Sequence, residues 1–152
     1  MPDRYTGACG PGALVTSVLK DRGDTLIAQG RNQRVQQGDP IAHGEMDCLR
    51  KAGRQRSYRD TVMVTTLSPC WYCSGLIRQF GIGAVVVGEN RTFDGGQEWL
   101  RDLGVDVTIL DDERCVAMMT DFIAGNPALW NEDIGVVDAG VNAARSDTGS
   151  LR

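Results

Sequence analysis

Residues 84–87 read Ala-Val-Val-Val, with Gly81-Ile82-Gly83 before them and Gly88 after. A short unbroken apolar run between glycines is a strand buried on both faces. That is the situation of a parallel sheet covered by helices, not of a sheet with one wet face. The neighbouring segments agree. Residues 60–67 are β-branched and apolar, a buried strand; residues 71–80 read as a helix stopped by Gly81. Residues 97–103 suggest a short helix and residues 105–110 a strand, and Asp111-Asp112-Glu113 opens a further helix with acidic residues at its positive end. Strands alternating with helices predict an α/β fold.

Before this alternation, residues 13–20 and 25–29 read as two strands joined by the turn Asp21-Arg22-Gly23-Asp24, a hairpin. Residues 30–38 are polar and are expected to form a loop. Asp39-Pro40 then opens a helix that Gly53 ends, since Asp caps free amides and Pro fits the first turn. Residues 1–12 read as an irregular lead-in to a single domain over 1–135, and residues 136–152 as a frayed, flexible tail. A chain of 152 residues has room for one sizeable core.

Lys and Arg total 16 against 20 Asp and Glu, a net charge of −4, so no general footprint for nucleic acid or anionic membrane is expected. No apolar run is long enough for a membrane span, and the first residues lack the apolar core of a secretory signal. With five cysteines, an odd number, the expectation is reduced thiols in a cytoplasmic protein.

Two stretches carry chemistry: His43-Gly44-Glu45, which holds the only histidine, and Pro69-Cys70-Trp71-Tyr72-Cys73. Together they match the His-x-Glu and Pro-Cys-x-x-Cys signature of zinc nucleobase deaminases. Zinc takes soft tetrahedral N and S donors, and a catalytic site leaves one position to water. His43, Cys70 and Cys73 are three such donors, and a helix starting at Cys70 favours thiolates at its N-terminus. Glu45 falls on an apolar stripe with Ile41, Cys48, Leu49 and Ala52, where a carboxylate is costly unless satisfied or used. Burial raises its pKa and an adjacent zinc lowers it, which suits a proton shuttle. His43 and Glu45 stand about 200° apart on an ideal helix, so His43 is expected at an irregular first turn.

Taken alone, Cys-x-x-Cys also fits a thioredoxin-like redox pair, and a lone histidine is usually an ordinary residue. The joint occurrence with Glu45 favours zinc. Cys48, Cys115, Met118, Met119, Phe122 and Ile123 read as core. Arg50, Lys51, Arg54, Arg56 and Arg59 read as a solvated face.

The chain resembles the fungal-type cytosine deaminases and their bacterial relatives in the cytidine deaminase-like superfamily. The resemblance extends over Gly30-Arg31-Asn32, His43-Gly44-Glu45, Thr65-Thr66-Leu67-Ser68-Pro69-Cys70, Val87-Gly88-Glu89-Asn90, Asp111-Asp112-Glu113-Arg114-Cys115 and Trp130-Asn131-Glu132-Asp133-Ile134-Gly135. It implies a three-layer α/β/α sandwich with a central mixed sheet, a homodimer, and one catalytic zinc with bound water. It also implies a small heterocyclic base as partner and Asn32 at the pyrimidine's polar edge. The Gly44 amide would then meet the 2-oxo group, Phe93 and Trp130 pack against the ring, and Asp133 hold the exocyclic amine. Trp71 stands where the fungal enzymes carry an acidic residue, making it a candidate specificity position.

The expected activity is hydrolytic deamination of a free base, cytosine to uracil with release of ammonia. Alternatives are another small amino-heterocycle, such as an amino-triazine, isoguanine or creatinine, and a non-catalytic zinc-stabilised binding domain. A tRNA adenosine deaminase shares the zinc motifs, but the acidic balance and the Trp130 to Gly135 ending argue against it.

Overall fold

The computed structural model describes residues 16–136. The expected lead-in and the tail from residue 137 onward lie outside those residues. In chain order the elements are β1 (Thr16–Asp21), β2 (Leu26–Arg31), α1 (Arg34–Gln37), α2 (Gly44–Ala52), β3 (Thr61–Leu67) and α3 (Trp71–Phe80). There follow β4 (Ala84–Glu89), α4 (Gln97–Asp102), β5 (Asp106–Ile109), α5 (Glu113–Gly125) and α6 (Pro127–Asp133). The chain divides into two compact units, Met1–Met119 and Thr120–Arg152, and α5 runs through the boundary.

The strands form one mixed sheet in the order β2-β1-β3-β4-β5. β1 is antiparallel to both β2 and β3, while β3, β4 and β5 are parallel. This is the expected α/β sandwich begun by a hairpin. Asp24 takes the left-handed conformation the tight turn needs (φ 72°), and the Asp21 carboxylate accepts the Thr25 amide at 2.8 Å. β3 alternates strictly, with Thr61, Met63, Thr65 and Leu67 buried and the residues between them half-buried. The face bearing Met63, with Leu19, Val85 and Val87, packs against Cys48 and Leu49 of α2, Ile77 of α3 and Leu100 of α4. Each such aliphatic side chain contributes about 1.5–3 kcal/mol by leaving water. On the opposite face α5 begins close to β4: a Cβ added at Gly88 would stand 2.7 Å from Cys115 Sγ.

Three local expectations are corrected. The helix expected to open at Asp39-Pro40 begins at Gly44, because Asp39 is used to fold a turn. Its carboxylate accepts the Ile41 amide and its carbonyl the Ala42 amide. Ile41 therefore lies outside α2, exposed, and does not belong to the inward stripe, which is Glu45, Cys48 and Leu49, buried, with Ala52 half-buried. Residues 30–38 are not all loop. Gly30 and Arg31 complete β2, and α1 makes one turn, its first amide at Arg34 received by Asn32 Oδ1 and its end set by Gly38 in the left-handed region. Helix α6 was not expected, although Asn126-Pro127 is an ordinary helix-opening pair. Of the expected core residues, Cys48 and Met119 are fully buried, while Cys115, Met118, Phe122 and Ile123 are half-buried. Arg50, Lys51, Arg54, Arg56 and Arg59 are all exposed, as a solvated face requires.

The position of α2 depends on Gly30. A Cβ there would fall 2.1 Å from Cys48 N and 2.5 Å from Gly44 O, both backbone atoms that cannot turn aside. The missing side chain lets α2 lie directly on β2, and the Asp47 carboxylate secures the contact by accepting the Arg31 amide at 3.0 Å. Gly30→Ala must push the two backbones apart, and the expected loss is about 2–3 kcal/mol, typical of overpacking. It is read as a lower urea midpoint at unchanged slope.

Candidate active site

Two helix N-termini converge on one side of the sheet. β3 ends at Leu67, and Ser68-Pro69 carries the chain to Cys70, the extended N-cap of α3 (φ −64°, ψ 174°). The Cys73 amide donates back to Cys70 Sγ, so one sulfur is both cap and candidate ligand. His43 is likewise the extended N-cap of α2 (φ −73°, ψ 163°), which resolves the angular conflict between His43 and Glu45. His43 stands before the first turn and Glu45 in it.

His43 Nδ1 lies 3.5 Å from Cys70 Sγ and 3.6 Å from Cys73 Sγ, and the three donor atoms fall within 4.8 Å of one another. Zn–N and Zn–S bonds of about 2.0 and 2.3 Å at a tetrahedral angle put N and S about 3.5 Å apart. The donor set and spacing therefore fit one zinc. The Cys70 thiol is held well below its ordinary pKa, chiefly by the hydrogen bond from Cys73 and then by His43. That same bond to Cys70, together with burial, raises Cys73. The hydrogen bond between the two sulfurs thus favours the thiolate on Cys70 over the thiolate on Cys73.

Glu45 is buried, and burial raises its carboxyl pKa. Oε1 accepts the Thr65 hydroxyl at 3.2 Å and Oε2 faces Cys73 Sγ at 3.3 Å. Thr65 in turn accepts from Ser17 at 3.2 Å, a chain of hydroxyls across β3 and β1. The carboxylate is thus oriented from the sheet and directed at the ligand cluster.

Tyr72 was not singled out by the sequence reading. Its ring lies 4.8 Å from that of His43, and its hydroxyl donates to the Ile41 carbonyl, tying α3 to the turn that carries His43. A half-buried tyrosine between two ligand cysteines is common enough in a core that its position alone carries no such signal. Asn32 is half-buried at the end of β2, next to Gln33, whose amide donates to the Ala42 carbonyl. Gly44 is buried as the first residue of α2, where amides have no intrahelical acceptor. Phe93 is half-buried in the segment between β4 and α4. Trp71 is 66% exposed and packs edge-on against Trp99 of α4, ring centroids 6.2 Å apart. Trp130, buried, and Asp133, half-buried, lie on α6 in the second unit.

Comparison with known proteins gives a consistent result. Residues 4–89 match the cytidine and deoxycytidylate deaminase zinc-binding region. A protein of Candida albicans named cytosine deaminase is 43% identical over 126 residues, 82% of this chain and 84% of its own. The guanine deaminase of Nitrosomonas europaea shares the fold, with a TM-score of 0.64 at 22% identity over 72% of each chain. The dCMP deaminase of cyanophage S-TIM5 superimposes with a TM-score of 0.53 at 27% identity, over 63% of this chain and 79% of its own. No helix among the described residues is long and apolar enough to cross a membrane.

Thiols must be deprotonated to bind zinc. The bond to Cys70 and burial hold the proton on Cys73, so uptake must expel it, and lower pH opposes uptake. Zinc affinity is expected to weaken roughly tenfold per pH unit from 8 to 6, one proton's worth. Chelator competition across that range measures the slope.

Proposed function

Because this chain belongs to the cytidine and deoxycytidylate deaminase zinc-binding family, we propose that it deaminates a free nucleobase hydrolytically, converting cytosine to uracil and ammonia. The observation that carries this reading is the buried Glu45 carboxylate against a three-donor cluster with room in its chemistry for one water. A zinc-stabilised binding domain has no use for a desolvated carboxylate at that position. The choice of cytosine rests on the name of the Candida albicans relative, which this chain matches over most of both lengths.

His43, Cys70 and Cys73 would hold the metal. Zinc bound there supplies Lewis acidity, which makes water nucleophilic at neutral pH. Glu45 accepts a proton from the attacking water and delivers it to N3 of the ring as the new C4–O bond forms. It then takes the hydroxyl proton of the tetrahedral carbon and passes it to the amine. The C4–N bond breaks, C4=O forms, and ammonia leaves. Thr65 keeps the carboxylate aimed through both transfers. The Gly44 amide at the start of α2 meets the 2-oxo group, Asn32 the polar edge of the ring, and Phe93 one of its faces. Buried polar groups of this kind reject rings that lack the matching partners. The protein works in the cytoplasm as a homodimer on a small base.

Glu45→Gln keeps the donor set and loses the shuttle. Its zinc content is expected to stay at one ion per chain while kcat falls by about 10²–10⁴. Ammonia release is followed on cytosine, 5-methylcytosine, isocytosine, isoguanine, amino-triazines, creatinine and cytidine. Cytosine turnover without cytidine turnover supports the free-base reading. Wild-type turnover by Glu45→Gln would sink the assignment of Glu45.

A further inference from the structure

Glu89, the last residue of β4, is a fully buried carboxylate with no part in the chemistry above. By the alternation of β4 it lies on the same face as Val85 and Val87, the face that carries Thr65 and the ligand cluster. Its backbone carbonyl accepts the Ser68 amide at 2.9 Å, so it sits against the turn leading to Cys70. Its side chain faces the other way along the chain. Oε2 accepts the amides of Arg91 and Thr92 at 2.7 and 3.0 Å, and Oε1 accepts the Thr92 hydroxyl.

The far end of the same segment is tied to the same turn. Gly95 N donates to Ser68 Oγ at 3.1 Å and Gly96 N to Pro69 O at 2.9 Å, while the Ser68 hydroxyl donates to Gln97. Ser68 and Gln97 are both buried. A Cβ at Gly95 would fall 2.1 Å from Pro69 O, so the backbones meet without an intervening side chain. The segment from 90 to 96 is therefore a short span fastened at both ends to the Cys70 turn, with Phe93 in its middle. The exposed pairs of Arg91 with Asp111 and Glu113 add little, since water competes for them. The buried carboxylate is the strong fastening, because acceptors that are charged and desolvated make the stronger hydrogen bonds.

We infer that Glu89 is a positioning residue: by gathering the amides and hydroxyl of residues 91–92, it sets the place of Phe93 against the substrate ring. This rests on the reading of Phe93 as a wall of the base pocket. A wall contacts ground state and transition state alike, so its displacement acts on KM and leaves kcat.

The test compares Glu89→Leu, Glu89→Gln, Thr92→Val and Phe93→Ala in the zinc-loaded protein, with cytosine as substrate. Hydrogen exchange of residues 90–97 is followed alongside. Glu89→Leu is expected to raise KM about tenfold, the scale of a lost charged hydrogen bond, with kcat within about twofold. Zinc content stays at wild-type level and exchange at Arg91 and Thr92 accelerates. Glu89→Gln recovers most of the loss, because its amide oxygen still accepts both amides. Thr92→Val, which removes one donor and leaves the core intact, raises KM by about threefold and decides the matter if Glu89→Leu does not fold. If Phe93→Ala raises KM while Glu89→Leu and Thr92→Val do not, the pocket reading stands and the role of Glu89 is overturned. A wild-type KM in Phe93→Ala overturns both. A purely structural Glu89 lowers the melting temperature and leaves KM alone, and that outcome also overturns the inference.

Discussion

His43 Nδ1 stands within 3.6 Å of two sulfurs although 27 and 30 residues separate them along the chain, and the placement of two helix starts produces that meeting. α2 is laid on β2 through the space left at Gly30, and α3 is launched from the end of β3 by Ser68-Pro69. Both N-caps are extended residues whose side chains are themselves the candidate ligands. The centre is therefore built from the points where helices begin, and any shift of either helix along the sheet opens the donor triangle. Tyr72 ties the two together, its ring packed at a tilt against His43 while its hydroxyl holds the turn before it.

Around the triangle the space between the sheet and its helices holds buried polar side chains: Ser17, Thr65 and Glu89 from strands, Glu45 and Gln97 from helices, and Ser68 from the turn after β3. An apolar replacement of each would fold with less risk, since every buried polar group must find a partner. They do find partners, in two chains. One runs from Ser17 through Thr65 to Glu45, and the other joins Glu89 to residues 91–92 and Ser68 to residues 95–97. Both chains end in contact with the ligand cluster or its turn. Polar satisfaction in this core is thus spent on orientation of the site, while the aliphatic cluster of Leu19, Met63, Ile77, Val85 and Leu100 holds the layers together.

The elements most legible in the sequence were those whose local chemistry and tertiary packing agree. Trp71–Phe80, with Gly81 behind it, is one helix by every local rule and is one helix in the structure. Local pattern is ambiguous where one residue serves two rules. Asp39-Pro40 is as good a turn as a helix start, and the contest is settled by Gln33 pairing with Ala42, a contact no local pattern records. Ile41 went with it, from an assumed core position to solvent. Arg34–Gln37 is a single turn, too short for any periodicity to announce it.

The sequence by itself determined the candidate donor set, the order of the five strands and of four of the six helices among the described residues, and the oddity of a carboxylate on an apolar stripe. These follow from residue types, spacings and burial preferences, which are properties of the chain. The tertiary structure alone decided that the imidazole presents Nδ1, that Tyr72 braces it, that Trp71 turns outward to Trp99, and that Glu89 reaches forward to residues 91–92. Each of these is a choice of direction for a side chain. Direction is set by what lies opposite once the sheet and its helices have packed, and the linear pattern carries no record of that.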